Sequence, residues 1–208
     1  MTQSFVDGIE TPEDLIIYCA RVSNPSNQMN TETAPKLIQY LIKHKHWSPF
    51  EMVNVSFEIK TSRAIAAQIL RHRSFSFQEF SQRYSNATEF EDFELRLQGK
   101  TNRQVGDEVV DPKIGNTKAS FLIQNHIHES NKLYRELIEC GVAKECARMV
   151  LPLSTSSTLY MNGTLRSWIH YIQIRATEDT QKEHREIAVD IQNELKTLFP
   201  NVAKALNW

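Results

Sequence analysis

Val53-Asn54-Val55-Ser56-Phe57-Glu58-Ile59-Lys60 alternates apolar and polar residues without a break, and is the clearest strand in this 208-residue chain. A period of two places Val53, Val55, Phe57 and Ile59 on one face, and β-branched and aromatic side chains suit a pleated, half-buried surface. The character then changes. From Ser62 to about His72, the Ala-Ile-Ala-Ala-Gln-Ile-Leu composition predicts a helix, with Gln68 and Arg71 three apart on one face. A strand running into a helix, with helical periodicity on both sides, predicts an α+β fold: an antiparallel or mixed sheet with a helical bundle packed on it.

Upstream, Thr11-Pro12-Glu13-Asp14 has the form of a helix start, with a threonine cap, proline in the first turn and Asp14 reaching back as in a capping box. Leu15, Ile16, Ile17 and Cys19 then fill a core helix to about Ala20. A second helix is expected from Thr33 to Lys45, with Leu37, Ile38, Leu41 and Ile42 as its apolar stripe, and His46-Trp47-Ser48-Pro49-Phe50-Glu51 as a turn.

Downstream, Tyr84 to Asp111 is an acidic, then polar excursion with a short strand expected near Phe93–Leu97. Asn116 to Cys140 predicts a long helix burying Phe121, Leu122, Ile127, Leu133, Leu137 and Ile138, ended by a left-handed Gly141. A short helix from Ala143 to Val150 carries Arg148, and Leu153 to Met161 predicts a strand. Asn162-Gly163 reads as a turn into a helix capped by Thr164 and running to about Ala176. A final helix is expected from Thr180 to Phe199. With no repeat, linker or low-complexity tract, residues 1–208 read as a single domain.

Hydrophobic residues make up 40% and charged residues 24%, with a net charge of -1, which fits a globular chain and argues against a bulk nucleic-acid binder. Cys19, Cys140 and Cys146 form no metal or disulfide pattern, and their odd number fits a reducing cytoplasm. The first eight residues have neither a basic region nor an apolar core, and no apolar run is long enough to cross a bilayer. His126 and His128 point apart on a helix, so no metal is expected there. Six glycines in the whole chain include no dinucleotide or P-loop fingerprint. Cys19 and Cys146 fall in apolar helical stripes and read as packing residues.

Chemistry concentrates where the predicted helix ends: Arg71-His72-Arg73-Ser74-Phe75-Ser76-Phe77-Gln78-Glu79-Phe80-Ser81-Gln82-Arg83-Tyr84. Three arginines, a histidine, three serines and one acid share fourteen residues, expected as a loop on a rigid support. Guanidinium forks with hydroxyls between them suit a small molecule carrying phosphates and a polar ring. The bland alternative is a solvated basic loop. The 164–176 helix is the second such place. Arg166, His170 and Gln173 form one polar stripe, while Arg175 lies half a turn away. Trp168, Ile169, Ile172 and Ile174 cover the surface between, so the helix is expected to serve two different ligands or subunits.

The window resembles the signature of the flavin-dependent thymidylate synthases, with Arg71, His72, Arg73, Ser76, Glu79, Ser81, Arg83 and Tyr84 at the family spacing and Gln78 where many members have asparagine. The blocks at 46–51, around Arg148 and at 164–175 match as well. The resemblance implies a homotetramer that converts dUMP to dTMP, with FAD as cofactor and methylenetetrahydrofolate and NADPH as co-substrates. It implies FAD contacts from His46, Ser48, Arg71, His72, Arg73, Glu79, Thr164, Arg166 and His170. It implies dUMP contacts from Gln68, Leu70, Arg71, Glu79, Phe80, Ser81, Gln82, Arg83, Arg148 and Arg175. Arg175 matches the catalytic arginine. Thr164 replaces the usual asparagine, and Asp179 stands where a histidine is common, so no role is carried to Asp179.

Methylating uracil at carbon needs an electron-rich ring. A cysteine thiolate can supply that, but none here has an activating neighbour outside an apolar stripe. A fixed cation beside the ring amide, Arg175 by resemblance, can stabilise the ring anion instead. Two competing classes remain: a flavoprotein of other specificity, and a nucleic-acid-binding module stacking bases on Phe75, Phe77 and Phe80.

Overall fold

A computed structural model describes residues 6–84 and 89–208. The first five residues, part of the start examined for a leader, and residues 85–88 of the acidic excursion lie outside these.

The chain begins as expected. Helix α1, Pro12–Ala20, opens on a complete capping box: the Asp14 amide donates to Thr11 Oγ1 at 3.1 Å and the Thr11 amide to Asp14 Oδ2 at 2.9 Å. α2 spans Ala34–Lys43 and buries Ile38 and Leu41, while Leu37 and Ile42 are half-buried at its edges. A 3-10 turn at Ser48–Glu51 leads to β1, Asn54–Ser62, whose inward positions follow the predicted alternation. Ser62 then caps α3, Arg63–Ile69, accepting from the Ile65 amide. The window after α3 is not wholly loop. Ser76–Glu79 forms strand β2, because Phe77 and Glu79 alternate inward against exposed Ser76 and Gln78.

Farther on, β3 (Arg96–Gln98) pairs antiparallel with β4 (Gly106–Val109), slightly beyond the expected Phe93–Leu97. β5 (Lys113–Ile114) and β6 (Thr117–Lys118) form a small hairpin turned by Gly115 at positive φ, so α4 starts at Ala119 rather than Asn116. α4 ends at Glu139, with Gly141 left-handed as predicted. α5, Lys144–Ala147, runs into a 3-10 turn carrying Arg148. β7 covers Ser156–Thr164, so Asn162 and Gly163 belong to a strand instead of a turn. Asn162 Nδ2 donates to Ser56 Oγ at 2.7 Å, a cross-strand bond that a turn would forfeit. α6 (Leu165–Arg175), α7 (Lys182–Leu198) and α8 (Pro200–Leu206) complete the chain; α7 ends where the final helix was expected to end, before Pro200, and α8 is a further helix beyond it. The larger sheet has strand order β1-β7-β2, and the α+β class is as expected.

Two compact units divide the chain: residues 1–57, 73–76 and 161–208 form one, and residues 58–72 and 77–160 the other. In the first, α2 packs on α8 and α6 on α7 around Phe50, Leu165, Trp168, Leu195 and Phe199, all almost fully buried. Glu13 is a buried acid that composition alone did not explain. Its carboxylate accepts from the Asn201 and Val202 amides, both at 2.9 Å, and from Asn201 Nδ2 at 2.7 Å, closing the start of α8.

The second unit corrects the expectation for α4. Phe121 (59% exposed), Leu122 and Leu133 face outward, while Ala119, Ser130 and Tyr134 are the buried residues. Ile123, Ile127, Leu137 and Ile138 flank that line half-buried, at the three- and four-residue spacing of one helical stripe. Cys146, expected in an apolar stripe, is exposed.

Candidate active site

In the first unit, α6 presents its predicted polar stripe to an open cleft. Arg166, Ser167, Ile169, His170 and Gln173 line it together with Trp47, Glu51 and Ser74, and its volume is about 420 Å³. Local sequence explains the placement. Thr164 ends β7 and caps α6, accepting from the Ser167 amide at 3.2 Å, which fixes the helix phase from its first turn. Trp168 anchors the other side, its indole donating to the Val55 carbonyl at 3.1 Å. Arg166 is ion-paired with Glu51, so the guanidinium at the cleft wall is held by a carboxylate from the 3-10 turn.

The opposite side of α6 is closed. Tyr171 and His184 are both fully buried, and their polar atoms meet at 3.0 Å. Burial pushes the Tyr171 hydroxyl well above its usual range, with the nearby Arg175 charge pulling the other way. Arg175 is half-buried near this pair, half a turn from the cleft, as the helical phase predicts. Of the apolar residues between the two polar stripes, Trp168, Ile169 and Ile172 are buried and Ile174 is 40% exposed. Asp179 is held in its turn by the Thr177 hydroxyl, which lowers its pKa.

His46 and Ser48 flank Trp47 and are exposed, as is Arg73. The His46 ring lies edge-on to Tyr40, with centroids 5.9 Å apart. Thr164 Oγ1 is engaged by Ser167, which competes with the ligand contact implied for that position. Phe75, offered as a base-stacking residue, packs inward instead, edge-on to Trp168 at 4.6 Å and Tyr171 at 5.9 Å.

The second unit carries the remaining positions. Glu79 Oε1 accepts from Arg63 Nη1 and from Ser157 Oγ, both at 2.9 Å. A second cleft, about 250 Å³, is lined by Arg63, Gln82, Arg148, Met149, Leu151, Pro152, Leu153 and Thr155. The structure thus brings Gln82, almost wholly buried, to the same cleft as Arg148. Gln68 and His72 are half-buried, as is Ser81, whereas Leu70, Arg71, Phe80 and Arg83 are exposed and line neither cleft. Arg63 and Ser74 were missed from sequence. A lone charge opening the otherwise apolar α3 was the available signal for Arg63; Ser74 gave none beyond its place in the window.

The first cleft combines cationic, hydroxyl and aromatic groups. Arg166 offers a fork for phosphate oxygens, His170 and Ser167 offer polar contacts, and Trp47 gives an aromatic wall. The second cleft is lined by two guanidinium groups, one of them, Arg63, already paired with the Glu79 carboxylate beside it.

Fold and clefts together define an α+β protein with two polar, arginine-lined clefts. Residues 4–201 match the family model described as thymidylate synthase complementing protein. A protein of Synechocystis, named flavin-dependent thymidylate synthase, is 50% identical over 95% of this chain and 91% of its own length. A Paramecium bursaria Chlorella virus 1 protein, named "Probable flavin-dependent thymidylate synthase", is 48% identical over 100% of this chain and 96% of its own. Among solved structures, a UMP/dUMP methylase, PolB, from Streptomyces cacaoi bound with 5-Br dUMP superposes with a TM-score of 0.78 at 27% identity, covering 95% of this chain and 91% of that one. The chain belongs to the flavin-dependent thymidylate synthase family.

Proposed function

We propose that the family's activity, flavin-dependent methylation of dUMP, is the activity of this chain, and that the complete reaction takes dUMP, methylenetetrahydrofolate and NADPH to dTMP, tetrahydrofolate and NADP. The observation that carries the proposal is the cleft on α6, where Arg166 and His170 stand together with Glu51, Ser74 and Trp47. FAD, when bound, supplies a two-electron carrier. Arg166 and His170 hold it, with His46, Ser48, Thr164 and the window residues Arg71, His72, Arg73 and Glu79 as further contacts.

The nucleotide is bound by Gln68, Leu70, Arg71, Glu79, Phe80, Ser81, Gln82, Arg83, Arg148 and Arg175. Arg175 stabilises the negative charge that develops on the uracil amide as the ring becomes nucleophilic at carbon. A guanidinium keeps its proton throughout, so it acts as a fixed charge and not as an acid. No cysteine is assigned a part in this; at Cys19, burial raises the thiol above its usual pKa, which opposes thiolate formation there. Ser81 serves as a binding group and not as a nucleophile.

Residues 1–208 work as one functional domain, in the cytoplasm, within a homotetramer whose sites are shared. The outward Phe121, Leu122 and Leu133 on α4 support assembly, since apolar side chains left in water favour a covering partner. No helix among the described residues is long and apolar enough to cross a membrane.

The test is the visible absorption spectrum of the purified protein with and without dUMP, followed by assay of dTMP. A flavin spectrum perturbed by dUMP, and dTMP formed only when folate and NADPH are both present, is expected. A protein that stays colourless after added FAD overturns the proposal, and a yellow protein that oxidises NADPH without making dTMP selects a flavoprotein of other specificity.

A further inference from the structure

We propose that Arg63, which lies outside the residues implied by the family resemblance, is a further substrate-binding residue that holds the 5′-phosphate of the nucleotide jointly with Arg148; this rests on the dUMP reading above. Arg63 and Arg148 line one cleft with Gln82, and that lining contains no carboxylate. Arg63, on the far side of its ion pair with Glu79, and Arg148 present guanidinium donors to one space, and a phosphate monoester dianion matches that pair of forks in geometry.

Arg63 is already oriented for this. Its Nη1 donates to Glu79 Oε1, and the same oxygen accepts from Ser157 Oγ, so β2 and β7 fix the carboxylate that fixes the guanidinium. The Arg63 side chain is 33% exposed, so part of the fork still faces outward while the Glu79 contact sits at 20% exposure. With five N–H donors on the group, the ion pair leaves others for a ligand. The ordering cost is met before binding, which favours affinity. A plain surface ion pair would instead contribute little and touch no ligand.

Steady-state kinetics of full-length holoenzyme carrying Arg63→Gln, with Arg63→Lys alongside, tests this. Arg63→Gln is expected to raise KM for dUMP about 10-fold or more, with a much smaller change in kcat, as loss of a charge-assisted contact predicts. Arg63→Lys should recover part of it. Inhibition by deoxyuridine, which lacks the phosphate, should stay as in the parent protein. Unchanged KM for dUMP, or equal loss for dUMP and deoxyuridine, overturns the proposal, the latter by showing that Arg63 acts only through Glu79. Should both variants fail to fold, arginine modification of the parent protein with phenylglyoxal decides: dUMP but not deoxyuridine should protect Arg63, and labelling indifferent to dUMP refutes the contact. A parent protein that forms no dTMP defeats the functional reading itself, whereas turnover insensitive to Arg63 defeats only this inference.

Discussion

Gly163 in β7 packs directly against the ring of Phe75 in the arginine window: a Cβ at 163 would stand 2.4 Å from Phe75 Cδ1 and 2.5 Å from Cε1. The glycine is there for close approach, since its φ is not positive. Phe75 is wedged against Trp168 and Tyr171 and cannot yield cheaply. Gly163→Ala should therefore destabilise the protein by about 1–3 kcal/mol through overpacking. Thermal unfolding checks this, and an unchanged Tm would show that the ring gives way.

Arg175→Ala should abolish dTMP formation while leaving bound flavin and fold nearly intact, because Arg175 lies across α6 from the cleft of Arg166 and His170. The measurement is turnover beside flavin absorbance in the same preparation. Full turnover would remove Arg175 from its assigned role.

Arg166→Ala acts on the other side of the same helix. It deletes a charge held by Glu51 at the cleft wall and should weaken FAD binding about 10- to 100-fold, the equivalent of roughly 1.5–3 kcal/mol. Titration of apoprotein with FAD reports this. Parent-like affinity would move the cofactor elsewhere.

Glu13→Ala removes an acceptor shared by two amides and one side-chain amide at the start of α8. The amide of Val202, fully buried, then has no carboxylate to meet, at a cost of about 1–3 kcal/mol. Denaturant unfolding should show a lower midpoint, and hydrogen exchange should rise first in α8. Parent-like protection there would argue against the cap.

Asp111 receives the Ser120 amide at 2.9 Å and its hydroxyl at 2.8 Å, holding the first turn of α4. The amide bond, then the hydroxyl, depresses the Asp111 pKa. A depressed carboxylate contributes stability that is complete above its unfolded pKa of about 4 and is lost as pH falls through the lower folded value. Exchange at the start of α4 should rise on acidification below about pH 4, and Asp111→Asn should blunt that response. An identical acid response in the variant would assign it to another group.

The sequence by itself determined the elements governed by neighbours along the chain. The Thr11–Asp14 box, the alternation of β1, the left-handed Gly141 and the polar stripe of Arg166, His170 and Gln173 all depend on spacing within one or two turns, and each stands where it was expected. Residue types in the 71–84 window were enough to suggest the family. Tertiary structure alone decided which apolar residues are covered: on α4 the six candidates surround much of the helix, and only packing selects the Ser130–Tyr134 line over Phe121 and Leu133. It alone made Asn162-Gly163 strand, because the bond from Asn162 to Ser56 joins residues a hundred positions apart. The same holds for Arg63. A charge at the start of an apolar helix says nothing of Glu79, Ser157 or Arg148 until strands distant in sequence bring them to it.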